Sequence, residues 1–307
     1  MKVVIAGGTG FLGRPLAVAL AHDGHDVVVL TRDRPEHGRG ATRTVAWNPD
    51  GAAGPWASEI DSAGAVVNLA GESIAGRRWS TAHKERILDS RVKTTRSLVG
   101  AIRAASTPPP VFVSGSAVGY YGPLGDEVVT EATPPGSDFL ASVCVQWETE
   151  AQKAKSARTR VVCIRTGIVL EADGGALPQM LPPFKFGAGG PVGSGRQYWP
   201  WIHRVDWIDM VRWAIQTPSV SGAINLTAPN PVTNADFARA LGRVMHRPAF
   251  MPAPAFALRL MLGEMADALL LSGQRAVPQV AARQGFTFTY SQLDAALQAI
   301  FGTHRSS

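Results

Sequence analysis

The chain is poor in cysteine. Its 307 residues include only Cys144 and Cys163, which is no basis for a disulfide framework or a cysteine metal site. Cys163 falls in an apolar strand pattern, so an inert buried thiol is expected there. No apolar run approaches the ~20 residues of a membrane span. The amino terminus reads straight into a strand, so no secretory leader or membrane partner is expected and the chain is assigned to the cytoplasm. Basic residues give a formal charge of +6 but are scattered. With no Lys/Arg block and no zinc spacing, nucleic acid is not expected as a partner, nor is a metal. The remaining composition is ordinarily globular, with ample core for one large domain or two.

The informative stretch is the first thirty-four residues. Val3-Val4-Ile5-Ala6 reads as a short buried strand. Gly7-Gly8-Thr9-Gly10-Phe11-Leu12-Gly13 follows at once. An apolar helical pattern then runs through Leu16, Ala19 and Leu20 to a stop at Gly24, and Val27 to Leu30 forms a second strand. Strand, glycine turn, helix and strand make a βαβ unit of the length that binds dinucleotides. The glycines let the turn form and let a pyrophosphate reach the backbone. The helix amino terminus then offers unpaired N–H groups and the positive end of its dipole. Gly13 allows the helix to pack close to the strand. The end of the second strand selects the cofactor: an acid there suits the ribose hydroxyl of NAD, an arginine the extra phosphate of NADP. Arg32 stands at that end, with Asp33 as the competing acid and Arg34 close behind. We read the pattern as NADP(H).

Further along, strands are expected at 43–47, 64–70, 111–113, 161–164 and 224–226, and helices at about 81–105, 139–157, 206–215 and 233–245. Alternation of this kind implies an α/β fold with a doubly wound parallel sheet (Rossmann), whose ligands bind at the carboxyl ends of the strands. The expected domains are residues 1–166, with 204–227 returning to the sheet, and a smaller α-rich C-terminal lobe from 167–203 and 228–307. Residues 174–195, rich in Gly and Pro, are expected to be mostly loop.

With these residues in hand, the chain resembles the extended short-chain dehydrogenase/reductase superfamily, in its sugar-nucleotide epimerase branch. It is most similar to atypical "epimerase family" proteins that carry a C-terminal domain of unknown function, some of them labelled for cell or chloroplast division. The marks are the Gly7–Gly13 turn, Asn68-Leu-Ala-Gly-Glu72, Ser90-Arg-Val92, Ser116-Ala-Val-Gly-Tyr-Tyr-Gly122, Arg165-Thr-Gly167, Gly193-Ser-Gly195 through Pro200-Trp-Ile-His203, and Gly273-Gln274. The resemblance implies NADPH contacts at Thr9, Gly10, Phe11 and Leu12, at Thr31 and Arg32, at Leu69 and Ala70, and at Glu85, Arg91 and Arg165. Glu85 has a plainer alternative, pairing with a helix charge such as Arg91.

The chain departs from the superfamily at its catalytic pair. A Tyr-x-x-x-Lys on the helix after the Ser motif supplies the acid/base phenol and the cation that lowers its pKa. Anchored on Glu148, those two positions hold Leu140 and Cys144, and no Tyr-x-x-x-Lys occurs anywhere in the chain. Tyr120, Tyr121 and Ser116 are candidate substitutes, as is Cys144 should its thiol pKa be lowered. Core packing, a turn hydrogen bond and a buried thiol are the plainer alternatives. Gln197, Trp199 and His203 are candidates for the substrate pocket; an aromatic contact within the lobe is the alternative for that run. Two functions from different classes remain open. One is an NADP(H)-dependent oxidoreductase or epimerase-like enzyme acting on an unidentified small molecule, with a homodimer compatible. The other is a non-catalytic NADPH-binding module that controls a protein partner, in division for example. The missing pair favours the second.

Overall fold

A computed structural model describes residues 1–32 and 42–302. The first half runs β1 (Lys2–Ala6), α1 (Gly13–His22), β2 (Asp26–Thr31), β3 (Thr42–Ala46), β4 (Ala65–Asn68), α2 (Thr81–Ala104), β5 (Val111–Ala117), β6 (Val128–Val129), α3 (Phe139–Gln152) and β7 (Arg160–Thr166). Next come β8 (Ile168–Leu170), α4 (Leu177–Lys185), β9 (Tyr198–Trp199), β10 (Trp201–His203), α5 (Arg204–Gln216) and β11 (Gly222–Leu226). The rest is mainly helical, with β12 (Val232–Thr233), α6 (Asn234–Met245), α7 (Ala255–Leu262) and a last helix over Leu293–Gly302.

Seven strands form one sheet in the order β11-β7-β5-β4-β1-β2-β3, and every pair in it is parallel. A parallel sheet is buried on both faces, which explains the unbroken apolar run of β1. Its side chains alternate between two cores. Val3 and Ile5 face Leu16, Leu20, Trp207 and Met210 of α1 and α5. Val4 and Ala6 face Leu98, Val99 and Ile102 of α2. The chain order reverses between β1 and β4, so the crevice at their carboxyl ends is the place where such a sheet binds ligands.

Four helices begin on side-chain caps, three of them on an oxygen. Ser80 accepts from His83 N at 3.2 Å, Asp138 from Ala141 N at 2.8 Å and Thr233 from Asp236 N at 3.2 Å, each satisfying a backbone donor the helix leaves open. Thr233-x-x-Asp236 therefore caps its helix as the spacing predicts.

Two expectations need correction. The helix expected over 139–157 ends at Gln152. The strand expected to end at Val113 continues to Ala117, because Ser114 to Ala117 find partners in Cys163 to Thr166. The 174–195 stretch is mostly loop, as expected, but it also contains α4, which holds Pro182 and Pro183. Both prolines remove helix donors, which hides this segment from a sequence reading. Burial of Leu177, Leu181 and Phe184 on one face holds it in place. These three join Trp199, Trp201, Phe237 and the last helix in a third core.

Candidate functional site

The glycine turn is tight for a reason visible in its contacts. Gly7 has φ of +80°, and a Cβ there would lie 2.8 Å from Ala70 N. A Cβ on Gly13 would lie 2.2 Å from the carbonyl oxygen of Gly7. Gly10 differs: a Cβ there would meet only Gly7 O, at 3.4 Å. Two glycines thus press the turn against β4 and α1, and the middle one keeps its own side open. The first turn of α1 follows, carrying no acidic residue, so its amino end keeps its attraction for anions.

A cleft of about 590 Å³ opens beside this turn. Gly7, Gly10, Phe11, Leu12, Gly13 and Leu69 border it, and Arg91, Ser116, Leu140, Cys144 and Trp199 also line it. Thr9 borders a more open neighbouring groove with Gly10 and Phe11. Ala70 stands at the end of β4, its N–H donating to Asn68 Oδ1 at 3.3 Å. Thr31 ends β2 and is buried, and Arg32 follows it, exposed. Asp33 and Arg34 lie outside the described residues.

Two sequence marks form one clamp. Glu72 N donates to Ser90 Oγ at 2.9 Å, and Arg91 Nη1 donates to the carbonyl of Glu72 at 3.1 Å and to that of Ile87 at 2.9 Å. The Arg91 guanidinium also lies over Trp147, 5.2 Å from the ring centroid. Burial holds its pKa below the ordinary arginine value. Glu85 is placed differently: it is exposed on α2 and absent from the cleft lining.

Arg165 is 4% exposed and committed to neighbours. Nε and Nη2 donate to Glu148 at 2.8 and 2.9 Å, and Nη1 donates to Tyr121 Oη at 3.0 Å. Its guanidinium carbon lies 3.4 Å from the Tyr120 ring centroid. Burial alone would lower its pKa, but the Glu148 carboxylate and the Tyr121 oxygen hold it above the ordinary value. Ser116 Oγ donates to the same carboxylate at 2.6 Å. Tyr121 Oη donates to Asn225 Oδ1 at 2.6 Å, and burial pushes its pKa up to about 12. In the sequence Glu148 is no more than an alignment anchor and Asn225 carries no signal, because both act through partners remote in sequence.

The proposed substitutes for the missing pair are changed by this geometry. Tyr121 is a buried, doubly bonded phenol, and Tyr120 stacks on Arg165. Cys144 does line the cleft, but burial pushes its thiol up to about 11, the opposite of nucleophile activation. Tyr198, which no sequence motif marks, is the one tyrosine in the cleft lining among the described residues. Its neighbour Trp199 lines the cleft as expected, whereas Gln197 and His203 do not. Gln197 Nε2 donates to the carbonyls of Val192 and Leu270 at 3.0 and 2.7 Å. His203 Nδ1 accepts from Val205 N at 3.1 Å as the cap of α5, and its ring lies 4.0 Å from that of Tyr290. That is the aromatic contact within the lobe weighed against a pocket role. No group of His, Cys, Asp or Glu among the described residues could hold a metal, and no helix among them is long and apolar enough to cross a membrane.

The sheet order, the glycine turn at the reversal point and the cleft beside it define an α/β protein of the dinucleotide-binding class. Residues 3–226 match the NAD dependent epimerase/dehydratase family, and residues 253–300 match a domain of unknown function, DUF1731. The chain belongs to that epimerase/dehydratase family. An epimerase family protein of Mycobacterium bovis is 43% identical over 297 residues, covering 96% of each chain. One from Bacillus subtilis is 39% identical over 307 residues, covering 100% of both. The crystal structure of the human epimerase family protein SDR39U1 (isoform 2), solved with NADPH, superposes with a TM-score of 0.90 at 36% identity, covering 98% of this chain and 99% of that one.

Proposed function

We propose that this chain is an NADP(H)-binding oxidoreductase or epimerase-like protein that acts on a small molecule in the cleft beside the glycine turn. The observation that carries the reading is the cradle itself. Gly7 and Gly13 leave no room for a Cβ, while Gly10 leaves its open side to the cleft. The human relative solved with NADPH supports the choice of nucleotide.

In this reading the Gly7–Gly13 backbone and the amino end of α1 hold the pyrophosphate. Arg32 takes the extra phosphate through charge-assisted hydrogen bonds. Leu69 and Ala70 flank the nucleotide at the end of β4. Arg91, kept in place by two backbone carbonyls, presents its charge to the cleft. Ser116 donates its O–H to Glu148, which leaves its oxygen, at the cleft wall, to accept a hydrogen bond from a ligand. When bound, the nicotinamide supplies the redox chemistry, and the protein orients it and excludes water.

Calorimetric titration with NADPH and NADH tests this. NADPH is expected to bind more tightly, and Arg32→Ala to cost about 1.5–3 kcal/mol of that preference, roughly ten- to hundredfold. Equal affinities for the two nucleotides in the unaltered chain would overturn the assignment.

A second reading, an NADPH-occupied regulatory module that acts through a protein partner, draws on the missing acid/base pair. Leu140 and Cys144 occupy its positions, and both line the cleft. Tight NADPH binding with no turnover across a panel of carbonyl compounds and sugar nucleotides is its expected signature. Turnover of any of them would remove it.

A further inference from the structure

Part of the cleft is built by residues outside the glycine turn. It comprises Ser73 and Ile74 of the polar excursion, Leu140 of α3, Tyr198 and Trp199 of β9, and a segment from Ala268 to Gln274. The chemistry of this compartment is lopsided. Arg91 is the one charged side chain in the whole cleft lining among the described residues. Most of the polar donors there are already used. Ser116 Oγ donates to Glu148 at 2.6 Å, Ser272 Oγ to the carbonyl of Asp267 at 2.6 Å, and Gln274 Nε2 to the carbonyl of Val118 at 2.5 Å. The hydroxyls of Ser73 and Tyr198 and the buried indole N–H groups of Trp147 and Trp199 are lining donors without a partner inside the protein. The remaining surface is hydrocarbon and aromatic, with Leu140, Leu269 and Trp199 prominent.

Resting on the NADP(H) reading above, we propose that this compartment takes an uncharged, mainly apolar small molecule with one or two polar atoms, and rejects nucleoside diphosphate sugars. A sugar nucleotide brings a diphosphate and a ring of hydroxyls out of water. Each hydroxyl left without a partner loses its hydration uncompensated, and the diphosphate finds a single guanidinium, which stands at the nucleotide end beside Gly71 and Trp147. An apolar ligand gives up few hydrogen bonds to water on entering such walls and gains the burial of its own surface. Arg275, which could serve a phosphate at the mouth, lies over the Tyr198 ring at 5.2 Å and is not part of the lining.

The test is binding to the NADP⁺-loaded full chain, where no reduction can occur. UDP-glucose is titrated calorimetrically against 1-naphthaldehyde, menadione and decanal. At least one apolar probe is expected to saturate with an affinity at least tenfold above that of UDP-glucose. Leu269→Arg is expected to weaken that probe at least tenfold while moving the NADP⁺ affinity less than threefold, and Leu140→Asn, a smaller change, to weaken it in the same direction. UDP-glucose binding as tightly as the apolar probes, no saturation by any of them, or indifference of the bound probe to both variants overturns the proposal. If NADP⁺ itself fails to bind, the cofactor reading falls, and the same titrations on the nucleotide-free chain still decide the ligand class.

Discussion

Gly13→Ala separates packing from nucleotide binding when it is compared with Gly10→Ala. The added Cβ at residue 13 would lie 2.2 Å from Gly7 O and 2.7 Å from Gly8 Cα. Both neighbours are backbone, so no side chain can rotate away. The shortfall from ordinary contact, near 3.4 Å, is about 1 Å on a steep repulsive wall. The turn must move, at a cost of about 1–3 kcal/mol by analogy with overpacked cores. For a chain of this size each kcal/mol is worth ~2 °C, so Tm should fall by about 2–6 °C. The displaced turn should also bind NADPH at least tenfold more weakly. At Gly10 the nearest contact is an ordinary 3.4 Å and φ is not positive. Alanine there should leave Tm unchanged or raise it slightly, since Gly→Ala at a compatible site stabilises by about 0.4–1 kcal/mol. Its methyl group would stand on the open side of the turn, so NADPH affinity should still fall at least tenfold. Differential scanning calorimetry and NADPH titration read the two quantities apart. A Gly13→Ala protein with unchanged Tm, or a Gly10→Ala protein with unchanged NADPH affinity, would refute the assignment of the two glycines to packing and ligand approach.

Other outcomes follow from the buried network and the thiols. Arg165→Met strands the Glu148 carboxylate, whose side chain is 13% exposed, and should cost about 3–5 kcal/mol; adding Glu148→Gln should recover much of the lost Tm, and no recovery would deny the pair its role. The Tyr121 phenol has a folded pKa of about 12 against 10.0 for the ordinary side chain, so the fold favours its neutral form. Its contribution is intact below pH 10 and is lost as pH rises through 12; Tyr121→Phe should remove that step from the alkaline Tm profile, and an identical profile would refute it. Cys144 and Cys163, raised to about 11 and 12 by burial, should resist a thiol reagent at neutral pH until denaturant is added; rapid labelling of Cys144 in the native protein would reopen it as a nucleophile.

The fold and the placing of the glycine turn at the sheet's reversal point were largely legible in the chain. β1, the glycine turn, α1 and β2 appear where the pattern placed them, because each depends on neighbours a few residues away. The far part of the cleft was less legible. Trp199 reached the cleft, whereas Gln197 turned to backbone carbonyls and His203 to a helix cap and Tyr290. All three lie in one short aromatic run, and nothing in that run distinguishes a lining residue from a packing one. Tyr198 is unmarked among them for the same reason.

The amino-acid sequence by itself determined that this is a parallel α/β sheet with a dinucleotide turn at its amino terminus, since strand periodicity and glycine sterics are local. Tertiary structure decided how the polar residues are spent. Ser116, Tyr121, Glu148, Arg165 and Asn225 come from four separate elements and the turn after β5, and they meet only when β5, β7 and β11 lie side by side. A guanidinium or phenol that could have served a ligand is there consumed by the interior, because a buried polar group must find partners inside the fold or lose the free energy of its hydration.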